Sequence, residues 1–129
     1  MAGTRAFNLA LVQMYVEPGA KSRNLDHACE LISRAASSGA EIILLPEALT
    51  TGWTDPSAAS TADEIPNGES CTILSDAAQS HGIHLCAGII ERQNQNLFNT
   101  AVVIDPDGNV ILRHRNLRAG DRARNLCFR

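Results

Sequence analysis

The stretch Leu44-Leu45-Pro46-Glu47-Ala48-Leu49-Thr50-Thr51-Gly52-Trp53 places a carboxylate directly after a short apolar run. Proline has a fixed φ and no N–H to give a sheet, so Pro46 suits the end of a strand. Ligands of α/β sheets gather beyond the carboxyl ends of strands. A half-desolvated Glu47 at such a place can act as a general base; the plainer reading is a loop glutamate. Four cysteines, Cys29, Cys71, Cys86 and Cys127, are separated by 42, 15 and 41 residues, so no CxxC zinc or redox motif exists. Cys29 and Cys86 fall in apolar patterns, where a thiol serves as a small hydrophobe. The cysteines are expected to be reduced and unpaired, in a cytoplasmic protein. Cys71 opens a predicted helix, whose dipole could lower its thiol pKa. His27 and Glu30 lie three apart with no third ligand and read as a solvated helix face. His84 alternates into a strand and reads as structural. No GxGxxG follows the first strand and no GxxxxGK[ST] occurs. No cofactor and no metal is expected.

These residues need elements to hold them. Residues 7–14 read as a first strand, followed by a turn at Glu17-Pro18-Gly19-Ala20. A helix begins near Ser22, its predicted N-cap. Leu25, Ala28, Cys29, Ile32, Ala35 and Ala36 recur at helical spacing, with Asp26, Glu30 and Arg34 opposite. Ser38-Gly39 ends it, with the glycine suited to a left-handed cap. Residues 41–45 form a buried strand, expected to run parallel to the first. Residues 46–69 are a long polar connection of the kind that often carries function, and its stretch 50–69, with Trp53, is expected to form one wall of a pocket. A second helix spans 69–81 and stops at Gly82. Strands follow at 83–90, 98–104 and 109–113, the last two joined by the turn Asp105-Pro106-Asp107-Gly108. The order β-α-β-α-β-β-β is an α/β layered arrangement.

The chain has 129 residues, 44% hydrophobic and 19% charged, enough apolar content for a folded core. No run of 18 apolar residues occurs, so no membrane-spanning helix is expected and no membrane partner. The net charge of -3 argues against nucleic acid as a partner. That average hides an asymmetry. Residues 1–112 carry 5 basic and 13 acidic side chains, whereas residues 113–129 carry six arginines against Asp121 alone. Lys21 is the only lysine.

Several pieces occur together in one order. They are Leu9-Ala10-Leu11-Val12-Gln13-Met14, Asn24-Leu25, Gly39-Ala40 and Ile43-Leu44-Leu45-Pro46-Glu47. Gly88-Ile89-Ile90-Glu91-Arg92, Phe98-Asn99-Thr100-Ala101 and Asp107-Gly108-Asn109-Val110 follow. On this ordered set, residues 8 to about 115 resemble the nitrilase superfamily of carbon–nitrogen hydrolases. The resemblance implies the first half of an α-β-β-α sandwich, a mixed sheet with helices on one face, in a domain about twice this length. It also implies a small amide or nitrile substrate, self-association, and hydrolysis by a glutamate, a lysine and a cysteine through a thioester. Glu47 matches the glutamate, the general base. An amidase is favoured over a nitrilase.

The chain departs from the family twice. The lysine follows the hairpin strand in a segment like R-x-R-K, and here Arg113-His114-Arg115-Asn116 puts Asn116 in its place. Lys21 is at the wrong place to replace it. The nucleophilic cysteine lies further along the family sequence; Cys127 lacks the family's surrounding motif, and Cys71 matches no catalytic position. An asparagine has no charge to offer a tetrahedral oxyanion, and losing such a donor costs roughly 3 kcal/mol. The chain alone is therefore expected to be inactive. Residues 1–115 read as the N-terminal part of the hydrolase domain and 116–129 as a basic tail, disordered or foreign to the fold. An out-of-frame end after Arg115 would account for the lost lysine and the arginine excess together. The alternative is a non-catalytic α/β module that binds a partner through its sheet edge or basic tail. Reading the coding DNA across codons 113–129 in all three frames decides: an alternative frame should continue with the lysine and a later cysteine motif.

Overall fold

Leu25, Ala28 and Ile32 form a buried stripe along one helix, and Cys71, Leu74 and Ala78 form another along a second. Both stripes lie on one face of a five-stranded sheet. The computed structural model describes residues 3–116. Its elements are β1 (Leu9–Leu11), α1 (Lys21–Ser37), β2 (Ile42–Leu44), α2 (Ala58–Thr61), α3 (Glu69–His81), β3 (His84–Gln93), β4 (Asn96–Ile104) and β5 (Val110–Asn116). The strands stand in chain order. β1, β2 and β3 run parallel, and β3, β4 and β5 antiparallel. The sheet is mixed, as expected, and β1 and β2 are parallel.

Some boundaries differ from the sequence expectation. Strand pairing covers only Leu9–Leu11 of the expected 7–14, because β1 is an edge strand with one short partner, β2. Ser22 does not cap α1, which already begins at Lys21 and has no side-chain cap. Gly39, just past the helix end, has φ +91°, and Gly82 closes α3 in the left-handed conformation. A backbone with φ in that range suits glycine, which has no Cβ to clash. The connection at 46–69 contains the short α2, too weakly patterned to read from sequence. β5 runs to Asn116 rather than stopping at Arg113, since Arg115 and Asn116 pair with Thr100 and Asn99 of β4. The expectations for residues 117–129, including Cys127, lie outside the described residues.

The sheet face toward the helices carries Ile43, Leu85, Ala87, Ile89, Val102 and Ile104, all in one buried cluster with α1 and α3. The register puts Leu9, Leu11, Ile42, Leu44, Cys86, Val103 and Leu112 on the opposite face. No helix among the described residues covers that face; Leu11 is 71% exposed and Leu112 51%.

One buried charge interrupts the helix-side core. Glu91 is 1% exposed. Arg115 embraces it through Nε at 2.9 Å and NH2 at 2.5 Å, Thr100 donates its hydroxyl at 2.7 Å, and Arg113 lies 3.4 Å away. The Arg115 guanidinium also stacks on the Phe98 ring, 4.3 Å from its centroid, a cation–π contact. Burial pushes the Glu91 carboxyl up, but the bonds from Arg115 and Thr100 and the charges of both arginines outweigh it and hold the group below its ordinary value. Arg113 and Arg115, the first two of the basic excess, are thus part of the fold.

Arg115→Ala leaves Glu91 without its main partner and is expected to destabilise the fold by on the order of 3 kcal/mol near neutral pH. Because the folded pKa of Glu91 is depressed, its contribution is complete above the unfolded carboxyl value of ~4.3 and is lost as pH falls toward the folded value. Urea denaturation at pH 7 and pH 3 should show the unaltered chain losing stability on acidification and Arg115→Ala losing less. Equal losses would place the acid sensitivity elsewhere.

Candidate functional site

Pro46 ends β2 by withholding an N–H, yet the chain does not leave the sheet there. Leu45 N–H donates to Cys86 O at 2.8 Å, Gly88 N–H to Pro46 O at 3.2 Å, and Leu49 N–H to Gly88 O at 2.8 Å. Residues 45–49 therefore lie along β3 as an irregular continuation of β2. The approach is close enough that a Cβ on Gly88 would stand 2.6 Å from Glu47 Cα and 3.0 Å from Ala48 N. Ala48 takes φ 49° and is fully buried. For a non-glycine residue that conformation costs on the order of 1 kcal/mol, and such strain collects at functional sites.

Past Ala48 the chain is clamped. Thr50 and Thr51 are buried. Ile90 N–H donates to Thr50 Oγ1 at 3.4 Å. Asn24, 2% exposed on the inner stripe of α1, donates from Nδ2 to Thr50 O at 2.9 Å and to Glu17 O at 2.8 Å. Its Oδ1 accepts from Glu17 N–H at 2.9 Å. One side chain thus ties the β1–α1 loop to the loop after Glu47. Its signal was present in the sequence: Asn24, Ala28 and Ile32 share helical spacing, so a polar residue sits on the apolar stripe and needs partners.

This backbone presents Glu47 at the carboxyl end of β2, on the sheet face away from the helices. The carboxylate is exposed, not half desolvated as expected, because no described element covers that face. Two asparagine amides reach it. Asn99 of β4, 4% exposed, hydrogen-bonds Oε1 through Nδ2, and Asn116 donates Nδ2 to the same oxygen at 3.4 Å. Both bonds fall on Oε1, so neither occupies Oε2. Asn99 and Asn116 are register partners on adjacent strands. The long connection closes one side: Trp53, Pro56, Ile90, Leu97, Phe98 and Asn99 line a cavity of about 250 Å³. Trp53 is one wall of it.

The other candidate residues lie elsewhere. Lys21 Nζ bonds Asp63 at 2.7 Å, Glu69 at 2.9 Å and Thr61 O at 3.0 Å. Burial would lower its pKa, but Asp63 and Glu69 outweigh burial and raise it. Asp63 also accepts from Ser70 N–H at 3.0 Å, capping the first turn of α3. Cys71 is fully buried in that turn. Its thiol is pushed up to about 11 by burial and then by the negative charges of Asp63 and Glu91, so the dipole effect considered from the sequence does not prevail. Burial also raises Cys29, with a smaller push from Asp26, and Cys86. All three cysteines are free. His84 is exposed on β3, and His27 and Glu30 are at the surface of α1. Among the described residues no cluster of three metal-ligating side chains exists, and no helix is long and apolar enough to cross a membrane.

Residues 8–129 match the family model described as carbon-nitrogen hydrolase, a stretch that continues past residue 115. The omega-amidase NIT2 of Xenopus tropicalis is 41% identical over 116 residues, which cover 89% of this chain and 41% of that protein. A nitrilase of Pyrococcus abyssi is 36% identical over 103 residues, 78% of this chain and 39% of that one. The chain thus spans about two fifths of the length of these curated relatives. Among solved structures, a double mutant of the amidase from Nesterenkonia sp. AN1 in complex with acrylamide superposes with TM-score 0.76 at 20% identity, over 92% of this chain and 46% of that one. That likeness establishes the shared fold, the first half of a nitrilase-type sandwich.

Gly88→Ala would drive a Cβ into backbone atoms that cannot rotate away. It is expected to lower stability by about 1–3 kcal/mol, seen as a lower urea midpoint at unchanged slope. The same substitution should shift the NMR signals of Glu47 and of the Asn99 side-chain amide. A neutral substitution would show that the close approach is not maintained in solution.

Proposed function

The chain belongs to the carbon-nitrogen hydrolase family, and we propose that it carries the general-base half of an amidase-type active site, centred on Glu47. The observation that carries this reading is the placement of the Glu47 carboxylate. It stands at the carboxyl end of β2, held through Oε1 by Asn99 and Asn116, beside a small pocket. In the chemistry the family resemblance implies, Oε2 takes the proton of a cysteine thiol. The sulfur attacks the amide carbon, the C–N bond breaks, and the departing amine takes the proton. Water then cleaves the thioester to acid and thiol. The omega-amidase relatives support an amide over a nitrile as substrate.

The chain alone is proposed to be inactive. Asn116 stands 3.4 Å from Glu47, where the resemblance puts a lysine ammonium, and it brings no charge. The three described cysteines have raised thiol pKa values, which leaves little thiolate near neutral pH. The basic tail expected at 116–129 is proposed to begin after Asn116, which belongs to β5. The uncovered apolar sheet face, with Leu9 and Leu112 half-exposed and Leu11 more so, supports self-association. Free thiols support a reducing, cytoplasmic setting.

Ammonia release from small primary amides tests both parts. The 129-residue chain should show none, and turnover abolished by Glu47→Gln would overturn its proposed inactivity. A chimera joining residues 8–115 to the remaining length of the Xenopus tropicalis relative should hydrolyse amides. In it Glu47→Gln should reduce the rate by at least ~100-fold, the scale of general-base catalysis. A chimera indifferent to that substitution would remove Glu47 from the mechanism.

A further inference from the structure

One apolar row crosses the open face of the sheet from edge to edge. Leu11 pairs in register with Leu44, Leu44 with Cys86, Cys86 with Val103, and Val103 with Leu112. Each of the five strands contributes one residue to the row. All of them lie on the face away from the helices. Leu11 and Leu112, at the two edges, are 71% and 51% exposed, and Leu44, Cys86 and Val103 are half-buried. The flanking rows, Leu9–Ile42–His84 and Gly88–Ala101–His114, hold no carboxylate, lysine or arginine. Scattered exposed apolar residues need no explanation, but a contiguous belt marks an interaction surface.

The belt says what kind of partner fits. With no charged side chain in it, it offers nothing to steer a nucleic acid or a charged peptide onto it. Another sheet can pack on it face to face, about 10 Å away, with the side chains of both inner faces interdigitating. Three rows across five strands make roughly 500 Å² of face, at ~4.8 Å between strands and ~3.3 Å per residue. Two such faces together bury about 1,000 Å², the lower bound of a specific interface. Residues 117–129 carry four arginines, with Leu117, Leu126 and Phe128 as their only large apolar side chains, a poor match for the belt. A second copy of the same face matches it in width, row spacing and polarity.

Identical subunits most often pair about a two-fold axis, each presenting the same patch. Cys86 is the middle member of the row. A two-fold axis over the centre of the row therefore sets Cys86 opposite Cys86, whether the axis runs along the strands or across them. We propose that the row is a homodimer interface, in which a second copy of the chain lays its own open face on this one and brings the two Cys86 side chains together. This names the surface for the self-association proposed above and does not depend on Glu47 being a base.

The test uses the 129-residue chain. Sedimentation should show a monomer–dimer equilibrium with a Kd of roughly 1–100 µM, the weak end for an interface of this size. Leu11→Lys sets an ammonium in the belt and should weaken the dimer at least ~tenfold, as an unpaired charge against an apolar partner does. Glu30→Lys, at the surface of α1, should leave the equilibrium unchanged. In a chain carrying Cys29→Ser and Cys127→Ser, a bismaleimide spanning about 10 Å, the gap between packed sheets, should join two chains through Cys86. Adding Cys86→Ser should abolish that product. A chain that stays monomeric throughout the range, a dimer that forms equally well with Leu11→Lys, one weakened by Glu30→Lys instead, or one without the Cys86 cross-link would overturn the proposal. If Leu11→Lys does not fold, the cross-link decides by itself. A dimer held elsewhere removes this surface and leaves self-association standing, and amide hydrolysis by the chimera is read separately.

Discussion

The backbone of Glu47 rests on Gly88 with no room for a side chain between them, and the site depends on that approach. It lets residues 45–49 hydrogen-bond along β3 after Pro46 has ended regular pairing. It also carries Ala48 into a left-handed conformation. Such a turn holds only when its surroundings over-determine it. Here the surroundings are Thr50 on the Ile90 backbone and Asn24 bridging Thr50 to Glu17. The general base proposed at Glu47 gains from this rigidity because misplacement by an ångström is expensive in rate.

The two sheet faces divide the work. On the helix side, a buried Glu91 with Arg113, Arg115, Thr100 and Phe98 fills the space where the apolar core runs out toward β5. The chain from 61 to 66 closes over it: Arg92 N–H donates to Asp63 O at 2.7 Å, and Arg113 to Ile65 O at 3.2 Å. On the other side lie Glu47, Asn99 and Asn116, at the margin of an apolar face. Alternation along β4 accounts for both arrangements, since Thr100 and Asn99 are neighbours in sequence and point to opposite faces. The Asn99-Thr100 pair therefore serves the site with one residue and the core with the next.

Much of this was legible in the residues themselves. Apolar periodicity located α1 and α3, and Gly39 and Gly82 marked where they end. Short apolar runs located β2, β3 and β4, and the glutamate after Leu45-Pro46 pointed to the carboxyl end of a strand. The errors have physical causes. β1 was read too long because apolar character extends beyond the few residues that find a pairing partner. β5 was read too short because its far end is built from arginine and asparagine, whose place in a strand depends on what faces them.

The sequence by itself determined the layered α/β order, the family and the place of Glu47 just past a buried strand, because these depend on local periodicity and on motifs contiguous in the chain. Only the tertiary structure decided which partners those residues meet. It paired Glu47 with Asn99 and Asn116, 52 and 69 residues away. It committed Lys21 to Asp63 and Glu69, buried Cys71, and made Arg113 and Arg115 counter-charges of a buried Glu91. Each of these is a contact between side chains distant in sequence, set by strand register and by how closely Gly88 lets two backbones approach, and neither quantity is written in any single stretch of residues.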